Sequence, residues 1–273
     1  MDAAWSPGAD PVVGLVDGES AGGSIDDEST GRSTAGVRDE PIESILRDHD
    51  ATAVRGDPET VLDAAPSLLV AAGDASLSAV ARAGPDVPVL PVGDVTGLEA
   101  VTREGVPAAL EAVLGGNATV QRRSILGIDV DPDGAGNGRD VRERALFDVT
   151  LVTDEPARIS EFGVSSRGDS IASVRADGVV VATSAGSHGY ASALEAPRLS
   201  ATVDALVVAP IAPFTTRARQ WVVPDDGLTI SIERNEDDVA LFADDRRVET
   251  VTPDSRVAIT ADGTLPTLLV DRE

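Results

Sequence analysis

The sequence predicts an open parallel α/β domain over residues 1–118, followed by an all-β domain of sandwich type over residues 119–273. Three observations predict this. Up to about residue 118, short apolar runs alternate with stretches of helical spacing. Beyond it, strand-like runs follow one another with Asp- and Gly-containing turns between them. And 42% of the 273 residues are hydrophobic, enough for a sizeable core despite a formal net charge of -25.

In the first part, Val12 to Val16 follows Pro11 and reads as a buried strand. Asp17 to Glu40 is rich in Gly, Ser, Asp and Thr and reads as a flexible loop. Ile42, Ile45 and Leu46 stand at helical spacing and predict a short helix over Pro41 to Arg47. Ala51 to Val54 is a second strand. Asp57-Pro58-Glu59 has the pattern of an N-cap followed by Pro in the first turn, opening a helix through Asp63. Ser67 to Ala71 is a third strand, Leu77 to Ala83 a helix, Val87 to Val92 a fourth strand. Val106 to Leu114 is an amphipathic helix stopped by Gly115-Gly116.

In the second part the expected strands are Val120–Ile128, Ala145–Val152, Ile159–Ser165, Ser170–Arg175, Val179–Thr183, Ala205–Ala209, Trp221–Val223, Leu228–Glu233, Val239–Ala243, Arg246–Val251 and Arg256–Thr260. Asp244-Asp245 closes a tight hairpin. Only Ala191 to Leu194 suggests a helical turn.

Composition narrows the function. Asp and Glu number 47 against 22 basic residues, every one of them Arg. So acidic a surface repels phosphate backbones and anionic lipid, which argues against nucleic acid or a membrane as partner. Spread along the chain and paired with few aromatics, the acid suggests a halophilic protein: at about 1 M salt the Debye length is near 3 Å, so self-repulsion is screened. With Cys at 0, thiol catalysis, disulfides and Cys-ligated metal are excluded. His49 and His188 are the only histidines. No apolar stretch approaches the ~20 residues of a membrane helix, and Met1 to Pro11 lacks the pattern of a secretory signal, so the expected location is the cytoplasm.

Three segments carry chemistry. In Leu68-Leu69-Val70-Ala71-Ala72-Gly73-Asp74-Ala75-Ser76-Leu77, a buried strand ends in small residues, presents one carboxylate and enters a helix. Such a turn lets backbone N–H groups meet phosphate, and Asp74 could take a proton from a hydroxyl or help hold Mg²⁺. A simple cap at a strand-to-helix turn is the plainer reading. In Asp177-Gly178 to Tyr190, an acidic turn and an apolar strand lead through Thr183-Ser184-Ala185-Gly186-Ser187-His188-Gly189 to the only Tyr, which could stack on a base or pack on a core. The third segment is Ala209-Pro210-Ile211-Ala212-Pro213-Phe214 with Val222-Val223-Pro224.

In this order the three segments resemble the NAD kinases. Ala72-Gly73-Asp74-Ala75-Ser76 is similar to that family's Gly-Gly-Asp-Gly-Thr. Asp177-Gly178 and Thr183 through Tyr190 are similar to its Asp-Gly … Thr-Pro-Thr-Gly-Ser-Thr-Ala-Tyr, without a gap. The Pro-rich turn and Val-Val-Pro match as well, and the similarity spans roughly residues 60 to 260.

The resemblance implies an NAD kinase-like fold. It implies transfer of a phosphoryl group from ATP or polyphosphate to the 2′-hydroxyl of the adenosine ribose of NAD, with Mg²⁺ or another divalent cation, in a homodimer or homotetramer. It makes Asp74 the catalytic base. It makes Gly73, Ser76, Asp148, Asp177, Ser187, His188 and Tyr190 substrate-binding, with Asp148 on NAD hydroxyls and Asp177 reaching the nicotinamide amide from a neighbouring subunit. It assigns no residue as a metal ligand.

Departures from the family pattern are Ala72 and Ala75 for Gly, Phe147 for the Asn before Asp148, and His188-Gly189 before the Tyr. A Cβ at 75 costs about 1–2 kcal/mol if φ is positive there. Three functions therefore stand side by side: a working NAD kinase, a catalytically impaired NAD(P)-binding relative with a regulatory or scaffold role, and a kinase acting on another hydroxyl.

Overall fold

The computed structural model describes residues 3–16, 39–131, 141–154, 159–215, 219–234, 238–253 and 255–270. Of the expected loop from Asp17 to Glu40, residues 17–38 lie outside these. Asp39 and Glu40 open the first helix.

The chain forms two compact units. One holds Met1–Arg122 and Leu265–Glu273, the other Arg123–Thr264. The division falls at 122/123, where a break at 118/119 was expected, and the last residues return to the first unit. The apolar run Leu265 to Leu268 is buried there and cannot be left in solvent.

The elements of the first unit run β1 (Ala3–Trp5), β2 (Val12–Val16), α1 (Asp39–Asp48), β3 (Thr52–Gly56), α2 (Pro58–Asp63), β4 (Leu68–Ala72), α3 (Gly73–Ala83), β5 (Val89–Val92), α4 (Val106–Leu114) and the start of β6 (Ala118–Asp131). Strands β3, β2, β4 and β5 lie parallel in that order. The order reverses between β2 and β4, the kind of point at which open α/β sheets bind ligands beyond the strands' carboxyl ends.

Local chemistry explains the helices. Asp57 caps α2 by accepting from Thr60 N at 2.9 Å, with Pro58 in the first turn. Gly84 ends α3 at φ 63°. α4 covers the predicted residues. Its Leu110 and Val113 pack with Val13, Leu68, Val70, Leu90 and Leu268 in one core.

The second unit continues with β7 (Val141–Ala145), β8 (Asp148–Thr153), β9 (Ser160–Ser166), β10 (Asp169–Ala176), β11 (Gly178–Ala182), α5 (Tyr190–Ala193), β12 (Ala205–Ile211), β13 (Trp221–Pro224), β14 (Asp226–Arg234), β15 (Val239–Ala243), β16 (Arg246–Val251) and β17 (Arg256–Leu269). One sheet has the order β13-β12-β11-β8-β15-β16. In the other, β10, β9, β14 and the first half of β17 pair antiparallel in turn. Alternate residues from both sheets meet in one core, with Val149, Leu151, Val179 and Leu241 from the first and Phe162, Val164, Ile230 and Ile259 from the second. This is the expected sandwich.

Several elements differ from expectation, and α3 begins at Gly73 instead of Leu77. β1 and β7 were not foreseen. β17 runs on to Leu269, and its Thr267 pairs in parallel with Val89 of β5. The single strand expected over Ala145–Val152 is broken at Leu146-Phe147, because the N–H groups there bond to a side chain instead of a neighbouring strand.

Candidate active site

In the first unit, β4 delivers Gly73, Asp74 and Ser76 to the start of α3. Gly73 takes φ 79°, the left-handed region open to glycine at little cost. It is the glycine this segment keeps. Ala72 sits at φ -106° in extended backbone, and Ala75 is not among the residues of positive φ. The two alanines therefore carry no backbone strain. A Cβ at Gly73 would meet nothing within 4 Å, so open space lies beside this turn.

Asp74 is half-buried, and both its carboxylate oxygens are engaged. Thr96 N–H donates to Oδ1 at 2.9 Å, and Thr96 Oγ1–H donates to Oδ2 at 2.7 Å. Thr96 follows β5, the strand beside β4, so the grip joins the carboxyl ends of two adjacent parallel strands. Each oxygen keeps a second lone pair, so the group can still accept a proton. Ser76 is fully buried, and its Oγ has no hydrogen-bond partner among the described residues.

In the second unit the broken strand forms a turn at Leu146-Phe147-Asp148. The carboxylate of Asp244 gathers its backbone. It accepts from Leu146 N at 3.2 Å, Phe147 N at 2.8 Å and Asp148 N at 3.2 Å. Asp244 N–H in turn donates to Asp148 O at 2.8 Å. Thr183 holds the other side. Its N–H donates to Phe147 O at 2.9 Å, and its hydroxyl proton is shared between Leu146 O and Phe147 O. Gly186 lies so close that a Cβ would fall 1.9 Å from Phe147 O. Only glycine fits.

Phe147 is buried, and the turn holds through its main chain. Asp148 carries its carboxyl half-buried, with Oδ1 accepting from Thr150 Oγ1 at 3.1 Å. Burial first, and then the negative charges of Asp244 and Asp245, push its pKa up from 3.8 to about 7.

The remaining expected site residues of this unit divide by exposure. Ser187 is fully buried, and its hydroxyl is spent inside the loop, donating to Ser184 O at 2.7 Å and accepting from Leu199 N at 2.9 Å. His188 is exposed, and Tyr190, at the start of α5, is 46% exposed, available to a flat partner. Asp177 precedes β11. Gly178 beside it crosses β8 so closely that a Cβ would stand 2.3 Å from Leu151 O. Asp148 pairs with Ala182 at the other end of β11, so at ~3.3 Å per residue Asp177 and Asp148 are about 16 Å apart along the strand. One copy of the chain thus brings Asp148 together with the Thr183–Ser187 loop, and leaves Asp177 at the far end.

Thr96, Thr183 and Asp244 position the site and were not singled out as site residues in the sequence. Asp244 was visible only as half of a hairpin turn. Thr96 carried no signal beyond lying soon after a strand's end.

Among the described residues no group of three or more His, Asp or Glu could hold a metal ion, and no helix is long and apolar enough to cross a membrane.

The family profile of the ATP-NAD kinase C-terminal domain matches residues 146–267. An NAD kinase of Methanosarcina acetivorans is 30% identical over 216 residues, covering 77% of this chain and 76% of that one. An NAD kinase of Symbiobacterium thermophilum is 35% identical over 208 residues, covering 72% of each. Among solved structures, yeast NADH kinase complexed with NADH superposes with a TM-score of 0.74 over 96% of this chain and 84% of that one at 15% identity. An NAD kinase from Archaeoglobus fulgidus in complex with ATP gives 0.67, over 96% and 94%, at 19%. On these sequence relationships, with the fold in agreement, the chain belongs to the NAD kinase family.

Proposed function

We propose that this protein transfers the γ-phosphoryl group of ATP to the 2′-hydroxyl of the adenosine ribose of NAD, giving NADP and ADP, with Asp74 as the base. The observation that carries this is the two-point grip of Thr96 on Asp74 at the carboxyl ends of β4 and β5. As the ribose oxygen attacks phosphorus, its O–H bond breaks and the proton passes to a carboxylate whose orientation is already set. The left-handed turn at Gly73 leaves room for phosphates, and the first turn of α3 favours their charge, while Ser76 stays fully buried within that turn.

Asp148 accepts hydrogen bonds from NAD hydroxyls, the exposed His188 and Tyr190 frame the ligand, and Ser187 shapes their loop from inside. Asp177 serves the nicotinamide end of a ligand bound by a neighbouring copy, which its separation from Asp148 along β11 supports, so the working form is a homo-oligomer. Polyphosphate is the alternative donor.

A divalent cation such as Mg²⁺ fits here in the manner usual for that ion, through one or two carboxylates and the substrate's phosphates. With Asp74 serving as the base, the ion would be held chiefly by the substrate's phosphates. When bound, the ion neutralises charge developing on the phosphates.

The unstrained alanines at 72 and 75, and the intact turn at Phe147, favour a working enzyme over a non-catalytic NAD(P) binder. The test is a coupled assay for NADP in molar KCl with Mg²⁺, comparing wild type with Asp74→Asn. NADP from the wild type alone is expected. NAD binding without turnover in both would establish the binder instead. The net charge of -25 supports a halophilic protein, and with it a melting temperature that rises from dilute buffer to molar KCl.

A further inference from the structure

We propose that Asp244, in the β15–β16 hairpin, is a positioning residue that presents Asp148 to NAD. The inference rests on the reading of Asp148 as an NAD ligand.

Four observations carry it. The Asp244 carboxylate accepts from three consecutive backbone N–H groups lying 96 to 98 residues away in sequence. A carboxylate taking charge-assisted bonds from successive N–H groups fixes the path of that backbone more firmly than neutral contacts do. Asp244 N–H also returns a bond to Asp148 O, so the two segments are tied in both directions. Asp244 sits at φ 54°, a conformation glycine would adopt more cheaply. Asp tolerates this region better than most residues, and here its side chain serves the 146–148 turn in addition to the hairpin. Lastly, the Asp148 carboxyl receives no bond from Asp244. Among the described residues its side-chain partner is Thr150, which leaves lone pairs for a ligand.

The electrostatics agree. The groups facing the Asp148 carboxyl are Thr150, whose hydroxyl lowers its pKa, and Asp244 and Asp245, whose charges raise it. Removing the Asp244 charge therefore moves the Asp148 titration to lower pH.

The experiment compares Asp244→Gly, Asp244→Asn and Asp148→Ala, alone and with Asp244→Gly added to Asp148→Ala. NAD affinity is measured by calorimetry, and KM and kcat by NADP formation, from pH 5.5 to 8.5. Asp244→Gly relieves the backbone and removes the acceptor. The proposal expects NAD affinity and KM to weaken about tenfold or more, the loss of a charge-assisted bond, with kcat changing far less. It expects the double variant to bind no worse than Asp148→Ala, and Asp244→Asn, which is tolerated in the left-handed region, to shift the pH midpoint of NAD binding downward. Asp244→Gly binding NAD like wild type while Asp148→Ala does not overturns the positioning role and leaves Asp148 as a ligand. Asp148→Ala binding NAD like wild type overturns both. Should Asp244→Gly fail to fold, Asp244→Asn decides, because its amide nitrogen cannot accept from a backbone N–H: NAD affinity and KM equal to wild type overturn the proposal.

Discussion

Two carboxylates, one in each unit, are held in opposite ways. Asp74 is gripped by its side chain, with both oxygens tied to Thr96. Asp148 is gripped by its backbone, through Asp244, and among the described residues its own oxygens take a side-chain bond from Thr150. The difference suits the different work proposed for the two. A base that accepts a proton in flight needs one fixed orientation, because a misplacement of about 1 Å can cost ~10²-fold in rate. A group that receives ligand hydroxyls needs a fixed position with open lone pairs. The same residue type becomes two tools according to which of its bonds the protein occupies.

The sharpest way to break this contrast is at Asp74. Asp74→Asn keeps the shape and can still accept from Thr96, but it cannot take a proton. kcat for NADP formation should fall by about 10²–10⁴-fold with little change in NAD affinity. A fall in affinity with kcat preserved would make Asp74 a binding group and erase the distinction.

Next is the packing behind Asp148. Gly186→Ala places a methyl against the Phe147 carbonyl, 1.9 Å from its oxygen. The loop or the turn must move, so the variant should lose about 1–3 kcal/mol of stability by denaturant unfolding and bind NAD more weakly. Unchanged unfolding would mean the turn is softer than its hydrogen bonds imply.

Thr96→Val sharpens the other half. It removes the bond to Oδ2 and keeps the backbone bond to Oδ1. About a tenfold loss in kcat is expected, with KM for NAD nearly constant and Thr96→Ser restoring most of it. Equal losses in kcat and affinity would indicate general damage to the unit.

The smallest effect is in stability against pH. The folded-state pKa of Asp148, about 7, lies above its ordinary 3.8, so the folded state binds more protons than the unfolded one between these values. The contribution of this group to stability is thus fullest below about pH 4 and declines as pH rises through 7. Asp148→Asn removes that decline. Relative to wild type, the variant's melting temperature should improve from pH 5 to pH 8, and parallel curves would place Asp148 in a more watery setting than its burial implies.

The turn that carries Asp74 was legible as a strand ending in small residues before a helix, while the roles expected of Asp74, Asp177 and Tyr190 came from the resemblance to the NAD kinases and not from local pattern. Thr96 and Asp244 were not legible as site residues. Each acts on a partner that is distant in sequence, 22 residues from Asp74 in one case and about 97 from the 146–148 turn in the other, and neither residue type is unusual where it stands. The break in the strand over Ala145–Val152 was hidden for the same reason. Its residues are apolar and suit a strand, and the acceptor that bends them comes from another hairpin.

The amino-acid order by itself determined the alternation of strands and helices, the change to an all-β second half, and the residue types at the Asp74 turn. These follow from periodicity, caps and turn residues, which act over a few neighbours. Tertiary structure decided which unit the last strand joins, that Gly73 is the one glycine its turn requires, and how each carboxylate is held. Those outcomes depend on hydrogen bonds and close contacts between segments far apart in the chain, and no local pattern records which segments will meet.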